Sequence, residues 1–314
     1  MFLGIDGGGT KTAFVLIDGA GQLLARHEST TSYYLEIGFD ALRALLHDGV
    51  QATLRQAGAK ASDVTFTFAG LPAHGEDSTK VASFDALFAG LLPRHRIGND
   101  MVCSWAGSLA GADGISLVAG TGSIAYGEWL GRGARCGGWG EVFGDEGSAH
   151  WLAREALALF SRMADGRAEP GPLLDLVREH FALAHDLDLC ARINDGAARS
   201  ELAQLARLVT SAANDGDAQA RRLLARAGEE LAALAAGVAR NLGLADIQAV
   251  PVSYSGGVFA AGPLVLDPLR DELARRLPGA VLTTPRFGPE LGAALYAARL
   301  AGQTVSPSAV ARLA

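Results

Sequence analysis

Hydrophobic and polar positions follow one plan twice along the chain. In the first half, three strand-like segments are joined by glycine-containing turns, and alternating helices and strands come after them. The first helical segment has leucines and a valine at helical spacing and is ended by Gly58. The pattern predicts strands at residues 2–6, 13–18, 22–27, 64–68 and 96–98, and helices at residues 39–57, 83–92 and 102–109.

The second half begins with another three strand-like segments, and their first turn is Gly120-Thr121-Gly122-Ser123. Helices follow, and the longest has one apolar face with Gly243 directly behind it. Further along, a strand ends in Ser255-Gly256-Gly257. The pattern predicts strands at residues 115–119, 124–130, 134–136, 252–254 and 280–283, and helices at residues 217–242, 263–277 and 289–300.

Two similar units of this kind indicate an α/β chain with two related domains. Residues 111–114 have the composition of a surface turn, so the boundary is placed between residues 1–113 and residues 114–314. The final helix is free to pack back on the first domain. A cleft between the domains would face both glycine turns. A loop at residues 165–171 and a loosely held tail at residues 306–314 are also expected.

The composition of the chain limits the kinds of molecule that it is expected to bind. The 314 residues leave room for two domains, and 49% of them are hydrophobic. A net charge of −7 without a basic stripe argues against nucleic acid and against anionic membranes. The three cysteines are far apart and suggest neither a disulfide framework nor a metal site. With no long apolar run, we expect a soluble cytoplasmic protein with small-molecule partners.

The most informative segment is the first turn, Asp6-Gly7-Gly8-Gly9-Thr10-Lys11-Thr12. Consecutive glycines let backbone N–H groups approach an anion, Lys11 and the two threonines add donors, and Asp6 places a carboxylate near a phosphate-bound Mg²⁺. A Walker A loop does not fit, because the order Gly-Lys-Ser/Thr and the following helix are both missing. An ordinary hairpin turn remains the simpler alternative.

The second turn has an alternative of its own. Gly120, Gly122 and Ala125 match the spacing of a dinucleotide fingerprint that follows a strand. That fingerprint needs a helix immediately afterwards, whereas the residues here favour a β-hairpin. A second phosphate-binding turn, with Gly120, Thr121 and Gly122 as its contacts, is the better interpretation.

Taken together, these motifs resemble the actin/sugar-kinase/Hsp70-type ATPases. Within that group the chain resembles the BadF/BadG/BcrA/BcrD-like ATPases, and most closely the N-acetylglucosamine kinases, over nearly its whole length. Residues 6–12 resemble the first phosphate motif, residues 119–123 the second, and residues 255–258 the adenosine motif. The resemblance implies two ribonuclease H-like (actin-like ATPase) domains, with ATP lying across the interdomain cleft.

The resemblance also implies residue roles for the nucleotide and its metal. The phosphates would lie between the turns, against Gly8, Gly9 and residues 10–12 on one side and Gly120, Thr121 and Gly122 on the other. Gly256 and Gly257 would contact adenosine, although a plain strand-to-helix turn would also explain them. Asp6 would hold Mg²⁺ through a water molecule.

Asp100, at the end of a predicted strand, matches the carboxylate that accepts the proton of the sugar hydroxyl in such kinases. An Asp that caps the following helix is the simpler alternative, and the two roles are compatible.

Residues 137–149 resemble the sugar-binding segment of these kinases. Asp145 would accept hydrogen bonds from sugar hydroxyls, Gly138 would allow close approach, and Trp139 would offer an apolar surface. An acidic helix start is the alternative for Asp145. Two positions depart from the pattern of the relatives, because Ile124 and the loop at residues 69–72 lack the polar groups expected beside the sugar. The resemblance therefore implies the kinase chemistry more strongly than the identity of the sugar.

The resemblance therefore implies a Mg²⁺- and ATP-dependent kinase that phosphorylates the 6-hydroxyl of N-acetylglucosamine, as a homodimer. Glucosamine or another amino sugar is an alternative substrate. From different classes, an ATP-driven activator of a radical dehydratase would need cluster-bridging cysteines, and a non-catalytic sugar-sensing module would not need Asp100.

Overall fold

A computed structural model describes residues 1–194, 204–303 and 305 of the chain. Contacts divide it into two compact units, each described by itself below. The first unit contains Met1–Gly114 and the described residues from Thr284 onward, and the second is Ile115–Thr283. Residues 284–303 thus lie with the first unit. The sequence analysis counted them in the second domain but left the final helix free to pack back on the first. The tail expected at residues 306–314 falls outside the described residues.

The first unit is built on a mixed sheet with strand order β3-β2-β1-β4-β5. The first three strands form an antiparallel meander, and β4 and β5 continue the sheet in parallel with β1. The strands are β1 (Phe2–Gly7), β2 (Thr12–Ile17), β3 (Leu23–Ser29), β4 (Phe66–Leu71) and β5 (His95–Asn99). The helices are α1 (Tyr34–Ala57), α2 (Val81–Asp85), α3 (Met101–Ser108) and α10 (Pro289–Leu300).

Helix α10 is an integral part of the first unit because it packs directly on β1. A Cβ atom added to Gly4 would lie 2.1 Å from the backbone nitrogen of Ala294, so only glycine permits this approach. At the other end of the helix, Arg299 pairs with Asp113 at 2.7 Å. These contacts explain why the chain returns to the first unit after completing the second.

The second unit repeats the same design. Its sheet has the order β10-β9-β6-β7-β8, which read in reverse matches that of the first sheet strand for strand. The strands are β6 (Gly114–Ala119), β7 (Ser123–Trp129), β8 (Arg132–Gly137), β9 (Val250–Ser255) and β10 (Ala280–Thr283). The helices are α4 (Ala149–Ala164), α5 (Pro172–Phe181), α6 (Asp188–Asn194), α7 (Ala206–Asn214), α8 (Ala218–Leu242) and α9 (Pro263–Arg276).

The predicted helix at residues 83–92 is wrong in its extent. The structure has only α2, and a series of turns follows it with hydrogen bonds from Leu87 N–H to Phe84 O and from Leu91 N–H to Phe88 O. Gly90 adopts a φ of 76°, which ends any helical continuation. The turns bury the same apolar side chains that suggested a helix, so spacing alone could not separate the two structures.

Helix α1 begins before the predicted start, but its first turn is interrupted. Gly38 has non-helical angles of φ 77° and ψ 164°, so the regular helix runs from about Phe39, as the periodicity indicated. Within the described residues, no helix is long and apolar enough to cross a membrane.

Candidate active site

The first glycine turn joins β1 to β2 and leaves its tip exposed. Gly7 pairs with Thr12 in the antiparallel ladder, and residues 8–11 form the turn. Among the described residues, a Cβ atom on Gly9 would meet no heavy atom within 4 Å, whereas one on Gly7 would lie 2.4 Å from Ser32 Oγ. Gly7 is therefore required by packing, while nothing in the folded unit requires glycine at position 9. Close approach by a ligand would explain it.

The loop after β3 fixes the position of this turn. The carbonyl of Gly8 accepts hydrogen bonds from Ser32 N–H at 3.1 Å and from Thr31 Oγ1 at 3.2 Å. Ser32 is fully buried, and its hydroxyl has no hydrogen-bond partner among the residues that the structure describes. Such a hydroxyl costs free energy unless another group satisfies it, so Ser32 joins the candidate site. No pattern in the sequence singled it out.

The three polar side chains of the turn are not equivalent. The hydroxyl of Thr12, expected to contact phosphate, is buried and instead donates to Thr30 O at 2.8 Å. Thr10 is exposed at the tip. Lys11 is exposed too, and its Nζ atom lies 3.2 Å from Glu28 Oε1. Among these side chains, Thr10 and Lys11 are the ones placed to reach a ligand.

Asp6 and Asp100 lie at the same edge of the first sheet. Asp6 is near the carboxyl end of β1, Asp100 directly follows β5, and β4 runs between them in parallel with both. Two strand spacings put these strands about 10 Å apart. Gly70 of β4 allows Asp100 and Cys103 to pack close to this strand, because a Cβ atom there would lie 3.1 Å from the Asp100 Cα atom and 2.2 Å from Cys103 Sγ.

The environment of Asp6 favours its neutral form. Burial, followed by the carboxylates of Asp100 and Glu290, raises the pKa of Asp6 to about 8. A hydrogen bond with Cys103 and the charge of Lys11 act in the opposite direction. A carboxyl group whose pKa is raised by burial and by neighbouring acids is typical of a functional site. Glu290, at the start of α10, was not identified from the sequence, because an acid in a first helical turn is ordinary.

Replacing Asp6 with asparagine should change how stability depends on pH. The folded protein keeps a proton on Asp6 up to a pKa of about 8, whereas the unfolded chain loses it near 3.8. Between these values the folded state holds the extra proton, so the free energy of unfolding of the wild type falls as pH rises and levels off above about pH 8. In metal-free buffer, the thermal midpoint of Asp6→Asn should therefore rise relative to that of the wild type as the pH increases from 3.8 to about 8.

Asp40, an exposed acid on α1, provides the matched control. Asp40→Asn should give a curve of midpoint against pH that runs parallel to the wild type. A difference between Asp6→Asn and wild type that stays constant from about pH 5 to about pH 8 would contradict the raised pKa.

Asp100 does not cap the helix that follows it. Its side chain makes no cap hydrogen bond to α3, and the N–H of Met101 instead donates to Asn99 Oδ1 at 3.1 Å. The simpler explanation for Asp100 therefore loses its support. Asn99 also donates from Nδ2 to the carbonyl of His74 at 3.1 Å, which fixes the end of β5.

In the second unit, the second glycine turn meets the start of α4. The N–H groups of Ala149 and His150 donate to the carbonyls of Gly120 and Thr121 at 2.9 Å and 3.2 Å. The Thr121 side chain is exposed, and a Cβ atom on Gly120 would meet nothing within 4 Å. The turn is thus fixed by its carbonyls, and its outer surface is left open to a ligand.

Gly256 brings the third motif against this turn. It has a φ of 110°, and a Cβ atom there would lie 2.3 Å from Ala119 O and 2.9 Å from Gly120 N. Strands β6 and β9 run in parallel, with Val118 opposite Ser255, and this pairing causes the contact. Next to it, a Cβ atom on Gly257 would meet no neighbour. The second phosphate turn and the adenosine motif therefore form one continuous surface.

The segment expected to bind sugar forms a closed loop between β8 and α4. Gly138 has a φ of 68°, and its N–H donates to Ser123 O at 2.9 Å, which ties it to β7. The loop closes at Gly144, where a Cβ atom would lie 2.8 Å from the Cβ atom of Trp139. The indole of Trp139 is 68% exposed, as a stacking surface for a ligand requires.

Asp145 has two unusual features. Its side chain is only 3% exposed, and its φ of 57° lies in the left-handed region that non-glycine residues rarely adopt. The cap of α4 is Ser148, whose hydroxyl accepts from Trp151 N–H at 3.1 Å, and the first turn of that helix holds no acid. An acidic helix start therefore does not explain Asp145. Strain of this kind is often found at functional sites.

The predicted site residues thus form two sets. The first unit brings together residues 6–12 and Asp100, and adds Ser32 and Glu290. The second unit brings together Gly120–Gly122 with Gly256 and Gly257, and places Gly138, Trp139 and Asp145 in one loop. The hydroxyl of Thr12 is the predicted contact that the structure directs elsewhere.

The sequence matches a profile of the BadF/BadG/BcrA/BcrD ATPase family over residues 3–297. An N-acetyl-D-glucosamine kinase of Dictyostelium discoideum is 30% identical over 310 residues, covering 95% of this chain and 97% of the relative. An N-acetylmuramic acid/N-acetylglucosamine kinase of Clostridium acetobutylicum is 27% identical over 298 residues, covering 94% and 97%.

A solved structure supports the same relationship. The crystal structure of a proposed N-acetylglucosamine kinase from Chromobacterium violaceum has a TM-score of 0.69 and 30% identity, and the match covers 93% of this chain and 97% of that one. These matches confirm the resemblance drawn from the motifs. They also confirm the α/β class with two actin-like ATPase domains.

Proposed function

Because the chain belongs to the BadF/BadG/BcrA/BcrD ATPase family, we propose that it transfers the terminal phosphoryl group of ATP to the 6-hydroxyl of N-acetylglucosamine. The observation that carries the proposal is the common edge of the first sheet, where the first glycine turn and Asp100 lie two strands apart. Phosphoryl transfer needs a phosphate cradle and a nearby base, and the glycine turn and Asp100 would supply them. The two full-length relatives, both named as kinases of this sugar, support the choice of substrate.

The residues present fit ATP and a hydrated Mg²⁺. Backbone N–H groups beside Gly9 and Gly120 would meet phosphate oxygens where the structure leaves open space, and Lys11 and Thr10 would add side-chain donors. Gly256 and Gly257 would lie against adenosine. The carboxyl of Asp6, whose pKa is raised by burial and by neighbouring acids, would hold the ion through a water molecule. Bound Mg²⁺ supplies charge neutralisation for the phosphates.

Asp100 takes the role of general base in this proposal. It follows β5 directly and makes no side-chain cap hydrogen bond to α3, which is consistent with a role toward a ligand. The carboxylate would accept the proton of the 6-hydroxyl as that oxygen attacks the terminal phosphorus. The bond between the terminal phosphorus and the oxygen that bridges it to the β-phosphate would break, and ADP would depart with that electron pair. The proton would stay on Asp100 until solvent takes it.

Sugar recognition is assigned to the loop of the second unit. Asp145 would accept hydrogen bonds from ring hydroxyls, and the exposed indole of Trp139 would cover an apolar face of the ring. Gly138 would let the backbone approach the acetamido group. The backbone strain at Asp145 is consistent with a carboxylate held ready for a ligand.

The proposal is tested by identifying the product. Purified protein is incubated with ATP, Mg²⁺ and N-acetylglucosamine uniformly labelled with ¹³C, and the product is examined by ¹³C and ³¹P NMR. Phosphorus coupling to the labelled C6 is the expected result. Coupling at C1 or C3 would refute the assigned hydroxyl and leave a sugar kinase. Absence of any phosphorylated sugar across a panel of amino sugars, with ATP bound, would refute the kinase itself.

N-Acetylglucosamine should be a better substrate than glucosamine by at least about tenfold in kcat/KM. The acetamido group is neutral, whereas glucosamine carries an ammonium group, and burying that charge without a partner is costly. Parallel kinetics with the two sugars at neutral pH provide the measurement, and glucose is the control for the missing nitrogen substituent. Equal or faster turnover of glucosamine would show an acidic partner at the amino position.

A further inference from the structure

Four charged residues form a continuous chain on the surface of the first unit. Lys11 Nζ lies 3.2 Å from Glu28 Oε1, and the same oxygen lies 3.1 Å from Arg26 Nη2. Arg26 Nη2 lies in turn 3.3 Å from Glu290 Oε1. The chain therefore runs from the first phosphate turn along β3 to the start of α10.

A cavity of about 650 Å³ lies at the far end of this chain. It is bounded by the β2–β3 hairpin on one side and by the start of α10 on the other. Val15, Leu23, Phe287 and Leu291 supply apolar surface, and Arg26 and Glu290 form part of the wall. This volume is typical of pockets for small organic molecules. The proposed roles in ATP and sugar binding do not use this cavity, although Glu290 in its wall also acts on Asp6.

Arg26 gives the cavity its chemical preference. Both carboxylates contact its Nη2 atom, and within the described residues Nε and Nη1 donate no hydrogen bond. A guanidinium presents donors in a planar fork that matches a carboxylate with two parallel hydrogen bonds. The apolar walls favour a hydrocarbon or aromatic body over a highly hydroxylated one.

We propose that this cavity binds a small organic carboxylate with an apolar body, and that its occupancy weakens ATP binding through Arg26, Glu28 and Lys11. An anion on the open side of the guanidinium neutralises part of the charge that Arg26 offers to Glu28. Glu28 then attracts Lys11 more strongly, and Lys11 is less available to phosphate. The carboxylate is thus a negative effector of the first phosphate turn.

The size of the coupling follows from the exposure of these pairs. The side chains of Lys11, Glu28 and Arg26 are about half exposed, and ion pairs of this kind are weak. Coupling of about two- to fivefold in ATP affinity is therefore expected, and ATP must weaken the carboxylate by the same factor. The inference rests on the proposed function only in placing ATP phosphate at Lys11, so binding measurements without sugar or turnover test it.

The probe is benzoate, with benzyl alcohol as the neutral analogue and benzylamine as the cationic one. Calorimetry on the full chain should show saturable benzoate binding and an ATP dissociation constant raised about two- to fivefold at saturating benzoate. Arg26→Gln should abolish benzoate binding and raise the ATP dissociation constant by a similar factor. Glu28→Gln should keep benzoate binding and lose the coupling. Arg96→Gln, at an exposed arginine on β5, is the matched control and should behave as wild type.

Three results would overturn the proposal. Tighter binding of benzylamine than of benzoate would mean that Glu290 rather than Arg26 selects the ligand. Equal benzoate binding by wild type and Arg26→Gln would remove the assigned site. Benzoate binding that leaves ATP affinity unchanged, in a protein that binds ATP, would refute the coupling. If the protein binds ATP but phosphorylates no sugar, the proposed function fails while this inference remains open to the same calorimetric test.

Discussion

Asp100→Asn should bind ATP with nearly unchanged affinity and turn over the sugar at least about 10²-fold more slowly than wild type. The amide keeps the shape of the side chain but cannot accept the proton of the attacking hydroxyl. Since the N–H of Met101 is satisfied by Asn99 and not by Asp100, the helix that follows should remain intact. Calorimetry with ATP and steady-state kinetics with N-acetylglucosamine provide the two measurements.

Asp85→Asn, at an exposed acid of the same unit, is the matched control and should keep wild-type turnover. A thermal midpoint close to that of wild type is required of both variants, so that lost activity cannot be attributed to unfolding. Wild-type turnover by folded Asp100→Asn would mean that another group accepts the proton, and the assignment of the base would then be wrong.

Gly9→Val should lose nucleotide affinity by at least about 10-fold while the fold stays intact. A Cβ atom at this position would meet no heavy atom of the described residues within 4 Å, so we expect valine to disturb mainly a ligand that approaches the backbone. Gly8→Val should also lose affinity, but its Cβ atom would lie 3.1 Å from Lys11 O and would distort the turn as well. Titration of ATP and a thermal melt separate the two effects.

Gly19 provides the control because it lies in the exposed turn at the other end of β2, and a Cβ atom there would make only an ordinary contact of 3.7 Å. Gly19→Val should keep both ATP affinity and stability. If folded Gly9→Val binds ATP as tightly as wild type, the β1–β2 turn is not the phosphate cradle, and the nucleotide must be sought elsewhere.

The duplicated plan was readable from the sequence because strands, turns and helices impose different periods on apolar residues. The three-strand meanders, both glycine turns and helix α8 all follow from such local patterns. The same local logic failed at residues 83–92, where buried residues at helical spacing lie on turns rather than on a helix. Periodicity records which side chains are buried, and different backbones can bury the same ones.

The candidate site was predicted only where motifs mark it. Glycine turns and strand-end acids are conspicuous in sequence, whereas Ser32 is one hydroxyl among several and Glu290 is one acid at a helix start. Both residues affect partners that are distant in the sequence. Ser32 Oγ packs against Gly7, and Glu290 on α10 helps to raise the pKa of Asp6. Contacts across such sequence separation have no local signature.

Helix α10 has a consequence for the order in which the chain can fold during synthesis. The second unit is continuous from Ile115 to Thr283, so all of it leaves the ribosome before α10 does. Strand β1 emerges before the second unit and lacks the cover that Ala294 gives to Gly4 until after the second unit has been made. The nascent first unit therefore remains incomplete during the time in which the second unit can fold. A chain released after Thr283 but before α10 would carry the whole second unit and an incomplete first unit. The uncovered apolar surface of that first unit would make it prone to aggregate.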